Sequence, residues 1–66
     1  MPIVEIHMLE GRTDEMKEEL IFKVTQTVHE TLDAPLESIR VIIDEMPLSH
    51  YGIAGETAAK RRARGR

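Results

Sequence analysis

Proline at position 2 offers the most unusual potential chemistry in this 66-residue chain. Methionine aminopeptidases remove an initiator methionine when the next side chain is small, so we expect Met1 to be removed and Pro2 to become the first residue. Its nitrogen would then be a secondary amine in a rigid ring. Nearby cations and an apolar site disfavour the charged form of an amine, and a base poised near neutral pH suits proton abstraction from carbon. The alternative is that Pro2 is only a permissive second residue.

Two arginines could supply positive charge beside such a base. Arg12 follows the turn after the first predicted strand, and Arg40 begins an otherwise apolar run, where an unpaired cation is costly to bury. A guanidinium group binds a carboxylate through two parallel hydrogen bonds. Two arginines near one base would therefore suit a dicarboxylate, or a carboxylate and a developing enolate oxygen. The alternative is that each arginine forms a surface or interface ion pair, with Glu10 or Glu37 as partners.

The two aromatic residues and three histidines give weaker signals. Tyr51 lies in a glycine-flanked loop, where an exposed ring indicates contact with a ligand or a subunit. Phe22 is expected to pack, and the alternative is a role at a subunit interface. His7 is expected to be structural or to lie on the surface, and the histidines lack a nucleophile-and-orienter arrangement. Their spacing fits no common metal pattern. Because the chain also has no cysteine, we expect neither a metal nor a cofactor.

Three predicted elements must position these side chains. The segment from Pro2 to Leu9 is rich in β-branched residues and predicts a strand, which ends at a turn around Gly11. A second strand is predicted over Ile39 to Met46, where a near-continuous apolar run is typical of a strand covered on both faces. A helix between them completes a βαβ unit, whose strands should be parallel and whose crossover should be right-handed.

The helix between the strands is expected to begin at Thr13 or Asp14, either of which can cap its first turn. It should end near Asp33, because Pro35 disfavours helical geometry at Ala34. Its predicted apolar face consists of residues that recur mostly every four positions: Met16, Leu20, Ile21, Val24, Val28 and Leu32.

The last part of the chain contains a predicted turn and a basic tail. Gly52 and Gly55 stand three residues apart and predict a tight hairpin or loop. Residues 60–66 hold five of the nine basic residues, and we expect a solvated, partly disordered tail. The alternative is contact with nucleic acid, because clustered arginines attract phosphates, but no aromatic residues are interleaved with them.

Length and charge limit the class of protein. A chain of 66 residues is expected to form one domain over residues 1–66, and so short a domain buries only about 60% of the surface that its unfolded form exposes. Without disulfides, a partner chain is the expected source of extra stability. The formal net charge of −3 does not favour nucleic-acid binding, and the apolar runs are too short to span a membrane. We therefore expect a cytoplasmic protein with no nucleic-acid or membrane partner.

In order and spacing, several segments resemble the 4-oxalocrotonate tautomerases, also called 2-hydroxymuconate tautomerases, over nearly the whole chain. The matching segments are Pro2–Arg12, Leu32–Pro35, Ile39–Ile43, Glu45–Met46 and Gly52–Glu56. The resemblance implies an α/β fold made of a β-α-β unit with a carboxy-terminal hairpin. It also implies that two subunits join their sheets into a four-stranded layer and that three such dimers form a homohexamer.

The resemblance further implies an isomerase that moves a proton within an unsaturated keto acid. In the family this converts 2-hydroxymuconate to 2-oxo-3-hexenedioate during meta-cleavage catabolism of aromatic compounds. Pro2 matches the family's base, and Arg12 and Arg40 match the arginines that hold substrate carboxylates and come from neighbouring subunits. The backbone of Leu9 and the side chain of Ser38 match weaker substrate contacts.

Tyr51 departs from the family, which usually has phenylalanine as an aromatic wall at this position, and the substrate preference therefore stays open. One alternative is a tautomerase or hydratase-type enzyme of the same superfamily that acts on another keto acid. The other is a non-enzymatic oligomeric module whose basic tail binds nucleic acid.

Overall fold

The chain folds as a β-α-β unit followed by a small hairpin and a short helix. The structure, a computed structural model, describes residues 1–65, and Arg66 of the predicted tail lies outside them. In chain order the helices and strands are β1 (Ile3–Leu9), α1 (Asp14–Leu32), β2 (Arg40–Met46), β3 (Gly52–Ile53), β4 (Glu56–Thr57) and α2 (Ala58–Ala63). Single turns of 3-10 helix over Leu36–Ser38 and Leu48–His50 flank β2. The predicted α/β fold with a β-α-β unit and a carboxy-terminal hairpin is confirmed.

The two long strands pair in parallel, as predicted, from Ile3 opposite Arg40 to Leu9 opposite Met46. Because successive side chains of a strand alternate between faces, this register divides the sheet into two distinct surfaces. One surface packs against α1, as the hydrogen bond from Lys17 of α1 to Glu45 of β2 shows. The half-buried aliphatic residues of this surface form the small core of the chain with Ile39: Val4, Ile6, Val41 and Ile43.

Local signals define both ends of α1. The Thr13 hydroxyl accepts a hydrogen bond from the Met16 backbone N–H at 3.1 Å, which caps the first turn. At the other end Asp33 takes left-handed backbone angles, and its N–H donates to the His29 carbonyl. The His29 ring also donates from Nδ1 to the Ala34 carbonyl at 2.6 Å. The predicted start and end of the helix are confirmed.

The second surface of the sheet is uncovered in a single chain. Ile42 is 46% exposed there, so the subunit's own residues cover β2 on one face only and do not supply the predicted cover of its second face. Phe22 on α1 is 62% exposed, so it does not pack within the single subunit. The physical reason is that one helix can cover only one face of a two-stranded sheet.

The carboxyl-terminal segment forms a hairpin and a short helix. β3 and β4 pair antiparallel, and the turn between them has positive φ at Ala54 (54°) and Gly55 (82°), which confirms the predicted hairpin. Residues 60–63 of the predicted tail lie in α2, a helix that is not predicted from the sequence. The Thr57 hydroxyl caps this helix, and Glu56 forms ion pairs with Arg61 and Arg64, which together fix the short helix against the hairpin.

Within the described residues, no helix combines the length and the apolar character that crossing a membrane requires.

Candidate functional site

Three of the six predicted site residues lie where both long strands begin. Pro2 precedes β1, and its carbonyl accepts a hydrogen bond from the Arg40 backbone N–H at 3.0 Å. Ser38 ends the 3-10 turn that leads into β2, and its hydroxyl donates to the Pro35 carbonyl at 2.8 Å. This set of Pro2, Ser38 and Arg40 is termed the amino-end group. Because parallel strands start at the same sheet edge, the fold brings these residues together from distant parts of the chain.

The other three predicted site residues lie where the same strands end. Leu9 is the last residue of β1, Arg12 follows the turn at Gly11, and Tyr51 follows the 3-10 turn after β2. They line one cavity of about 390 Å³, and the remaining lining residues are His7, Met8, Met46 and Arg62. This set of Leu9, Arg12 and Tyr51 is termed the carboxyl-end group.

Backbone hydrogen bonds hold the carboxyl-end group in place. The Glu10 N–H donates to the Met46 carbonyl at 3.0 Å, which extends the pairing one residue beyond β1 and keeps the start of the turn beside β2. Gly11 has φ 127°, a conformation that side chains resist, so the chain can turn sharply before Arg12. The Tyr51 carbonyl accepts from the Ala58 N–H at 2.7 Å, which attaches the aromatic residue to the start of α2.

The two groups are separated by the length of the sheet. Seven residue steps from Pro2 to Leu9, at roughly 3.3 Å each, place them about 23 Å apart. A small dicarboxylate cannot touch both within one subunit. Within one subunit the six predicted residues therefore form two separate groups of three, and not one complete site.

Within the described residues, neither predicted substrate-binding arginine is paired with a carboxylate. The Arg40 guanidinium donates from Nη1 to the Glu37 backbone carbonyl at 2.6 Å, and not to the Glu37 carboxylate. Within residues 1–65, neither Arg12 nor Arg40 forms a salt bridge. The alternative prediction of ion pairs with Glu10 or Glu37 is thus wrong for the single subunit, and both cations are available to an anionic ligand.

A second cavity, of about 190 Å³, shares Met8 and Arg12 with the first. Lys17, which lines this second cavity, links α1 to the end of β2. Lys17 donates from Nζ to Glu45 at 2.9 Å and lies 3.3 Å from an Asp14 oxygen. The hydrogen bond with the Glu45 carboxylate raises the pKa of Lys17 above its ordinary value, against the opposing effect of desolvation. Lys17 therefore links α1 to β2 through its ion pair with Glu45.

The sequence did not reveal a histidine–carboxylate pair at the cavity. His7 lies directly opposite Asp44 in the strand register, and its Nδ1 is 3.1 Å from Asp44 Oδ2. His7 therefore has a carboxylate partner that can orient its ring. The two residues are 37 positions apart, so no local pattern could pair them. Among residues 1–65, no cluster of three or more histidine, cysteine, aspartate or glutamate side chains could hold a metal ion.

Known proteins resemble this chain over almost its whole length. The sequence model of the family described as "Tautomerase enzyme" matches residues 2–61. A 2-hydroxymuconate tautomerase of Stutzerimonas stutzeri is 60% identical over 58 residues, which cover 88% of this chain and 92% of that relative.

Solved structures show the same fold. A structure from a study of the 4-oxalocrotonate tautomerase isozymes of Methylibium petroleiphilum superposes with a TM-score of 0.90 at 40% identity, covering 96% of this chain and 98% of that chain. A heterohexamer 4-oxalocrotonate tautomerase from Chloroflexus aurantiacus J-10-fl superposes with a TM-score of 0.85 at 37% identity, covering 91% and 97% respectively.

Proposed function

Because this chain belongs to the tautomerase family of isomerases, we propose that it converts 2-hydroxymuconate to 2-oxo-3-hexenedioate with the Pro2 nitrogen as general base. One observation carries the proposal. The chain has a potential base at one end of the sheet and an arginine-lined cavity at the other. The relatives named 2-hydroxymuconate tautomerase support this choice of substrate.

The proposed reaction needs one group that both accepts and returns a proton. While Met1 is attached, the Pro2 nitrogen is an amide and has no basic lone pair. After Met1 is removed, the nitrogen is a secondary amine that takes the proton from the 2-hydroxyl oxygen of the substrate. The C2=C3 and C4=C5 double bonds then become a carbonyl at C2 and a C3=C4 double bond, and the ammonium group returns the proton to C5. General base catalysis of this kind contributes about 10²–10⁴-fold in rate.

The arginines supply the charge complementarity in this scheme. Arg12 and Arg40 bind the two substrate carboxylates, and one of them stabilises the negative charge that develops at the carbonyl end. The Leu9 backbone and the Ser38 hydroxyl provide weaker contacts. Tyr51 forms an apolar wall, which disfavours the charged form of a neighbouring amine.

The separation of the two groups supports a site shared between subunits. We assign Pro2 and the carboxyl-end group of one site to different chains of a homohexamer, built as a trimer of dimers with sheets joined across subunits. Exposed Ile3, Phe22 and Ile42 support association, because monomers rarely expose so much apolar surface. We further assign the enzyme to aromatic hydrocarbon catabolism in the cytoplasm.

Intact mass spectrometry combined with a tautomerase assay tests this proposal. We expect a mass that lacks one methionine residue, and faster turnover of 2-hydroxymuconate than of phenylenolpyruvate, a keto acid with a single carboxylate. Full activity in protein that retains Met1 would rule out Pro2 as the base. Weak and comparable turnover of both substrates would instead favour an enzyme of the same superfamily that acts on another keto acid.

A further inference from the structure

The ion pair between Lys17 and Glu45 lies beside a cavity that Arg12 lines, yet the proposed reaction does not use it. We propose that Lys17 is a positioning residue, which occupies the Glu45 carboxylate and so keeps the Arg12 guanidinium available to a substrate carboxylate. The inference rests on the proposed function, because it requires a dicarboxylate to bind at Arg12.

Arg12 borders two cavities at the carboxyl ends of the strands. The larger one, of about 390 Å³, also contains Tyr51 and belongs to the candidate site. The smaller one, of about 190 Å³, has Lys17 in its lining, and apart from the two cations its lining is apolar. The Arg12 guanidinium can therefore bind a substrate in one cavity or a carboxylate of its own chain at the other.

Glu45 is the carboxylate placed at the smaller cavity. In the strand register it stands directly opposite Met8, which lines both cavities. Its Oε1 is 2.9 Å from Lys17 Nζ, and its side chain is only 30% exposed. A guanidinium group pairs readily with a carboxylate through two parallel hydrogen bonds. Glu45 is therefore the carboxylate of the chain that would compete with a substrate for Arg12.

The ion pair with Lys17 prevents this competition. Lys17 holds Glu45, whereas Arg12 forms no salt bridge within residues 1–65. The second partner of Lys17, Asp14, has a side chain that is 98% exposed, and exposed pairs contribute little. Without Lys17, the partly buried Glu45 carboxylate would lack a partner, and Arg12 would be the cation left in the described lining of the smaller cavity.

The pair also lies away from the proposed contacts between subunits. Glu45 and Met8 share the sheet face that α1 covers, and the hydrogen bond from Lys17 to Glu45 joins that helix to the sheet. The open face of the sheet carries the alternate residues of each strand. The ion pair is therefore a contact within one subunit, whatever covers the open face.

Binding of muconate, measured by isothermal titration calorimetry at neutral pH, reports the availability of Arg12 without chemistry. Muconate has two carboxylates but lacks the 2-hydroxyl group, so it cannot undergo the proton transfer. Its dissociation constant is compared for the wild type, Lys17→Gln, Glu45→Gln and the double variant Lys17→Gln/Glu45→Gln. Lys23→Gln is the matched control, because Lys23 also pairs with a glutamate, Glu19, but lies outside the linings of both cavities.

Removal of the lysine alone should weaken binding. Lys17→Gln should bind muconate about three- to fivefold more weakly than the wild type, because the freed Glu45 carboxylate then pairs with Arg12. The double variant should regain the wild-type dissociation constant, because the competing carboxylate is gone. Glu45→Gln alone and Lys23→Gln should match the wild type. In turnover of 2-hydroxymuconate, Lys17→Gln should raise KM and change kcat less, because the proposed base Pro2 is unaffected.

Three results would overturn the inference. Wild-type binding by Lys17→Gln would show that Glu45 does not compete for Arg12. Equal weakening in Lys17→Gln and in the double variant would show a purely structural ion pair. Tighter binding by Glu45→Gln, by the factor that Lys17→Gln loses, would show that only the net charge near the cavity matters.

Failure of the proposed function gives a different result. A wild type that binds muconate and shows the expected pattern among the variants, but does not convert 2-hydroxymuconate, would overturn the proposed reaction and leave the role of Lys17 intact. A wild type that binds no muconate would overturn both. Circular dichroism spectra establish that each variant is folded before its binding is compared.

Discussion

The two ends of the parallel sheet carry complementary parts of the chemistry. The amino-end group has the potential base Pro2 and the cation Arg40, but neither residue lines the cavities of about 390 and 190 Å³. The carboxyl-end group has Arg12 and Tyr51 in the larger cavity, which His7 also lines, and lacks the potential amine base. The difference follows from strand direction, because parallel pairing collects residues that precede the strands at one edge and residues that follow them at the other. In so short a chain, strand direction leaves each subunit with two half-sites.

The largest expected effect tests whether the two ends work together across subunits. Pro2→Ala should lower kcat/KM for 2-hydroxymuconate by about 10²–10⁴-fold, because it removes the ring amine that acts as base. Arg12→Ala should lower it by about 10–100-fold, since a charge-assisted hydrogen bond to a carboxylate contributes roughly 1.5–3 kcal/mol. Unfolding the two variants together and refolding them should recover activity above that of either alone, because some sites then combine an intact Pro2 with an intact Arg12.

A matched mixture controls for effects of refolding. Pro2→Ala mixed with the double variant Pro2→Ala/Arg12→Ala contains no intact Pro2 and should recover nothing. If folded, mixed oligomers of the two single variants stay inactive, the two ends do not complete one another across subunits.

An effect of intermediate size is expected on stability, from a hydrogen bond in the connection between α1 and β2 that leads into the amino-end group. His29→Ala removes the hydrogen bond from the ring Nδ1 to the Ala34 carbonyl at 2.6 Å, which should cost about 1 kcal/mol. For a domain of this size the melting temperature should fall by about 4–8 °C, measured by thermal unfolding at fixed protein concentration. His50→Ala, at an exposed position, should change stability by no more than about 0.5 kcal/mol. Equal shifts in the two variants would argue against a special role for His29 at this end.

The smallest expected effect concerns the ion pair beside the carboxyl-end group. The pKa of Lys17 is raised above 10.5, chiefly by its hydrogen bond with Glu45. A raised lysine pKa means that the stabilisation is complete below 10.5 and is lost as the pH rises through the higher value of the folded state. The difference in melting temperature between wild type and Lys17→Gln should therefore shrink between pH 8 and pH 11.

Lys23 provides the comparison for this ion pair. Its pKa is also raised, by Glu19, but its side chain is 71% exposed, whereas that of Lys17 is 21% exposed. Exposed pairs contribute little, so Lys23→Gln should show the smaller difference at pH 8. A difference for Lys17→Gln that stays constant up to pH 11 would contradict the assigned role of the pair.

Most of the secondary structure could be predicted because the residues that determine its ends and turns act locally. Thr13 caps the helix, Pro35 ends it and Gly55 permits the hairpin turn, and each acts on residues within a few positions. The helical tail was missed because its stability depends on Glu56, which lies outside the basic run and pairs with Arg61 and Arg64. The exposure of Phe22 in the single subunit could not be predicted, because the pattern shows that a residue is apolar but not whether its own chain covers it.

In the candidate site, too, some features could be predicted from the sequence and others depend on the tertiary structure. The residue types and family spacing alone pointed to Pro2, Arg12 and Arg40, because their chemistry belongs to the side chains themselves. Only the tertiary structure decided that His7 meets Asp44 and that Arg40 contacts the Glu37 carbonyl and not its carboxylate. Only the fold joined Arg12 and Tyr51 in one cavity. These outcomes depend on strand register and on side-chain contacts between segments that are distant in the chain, and such contacts leave no periodic trace in the sequence.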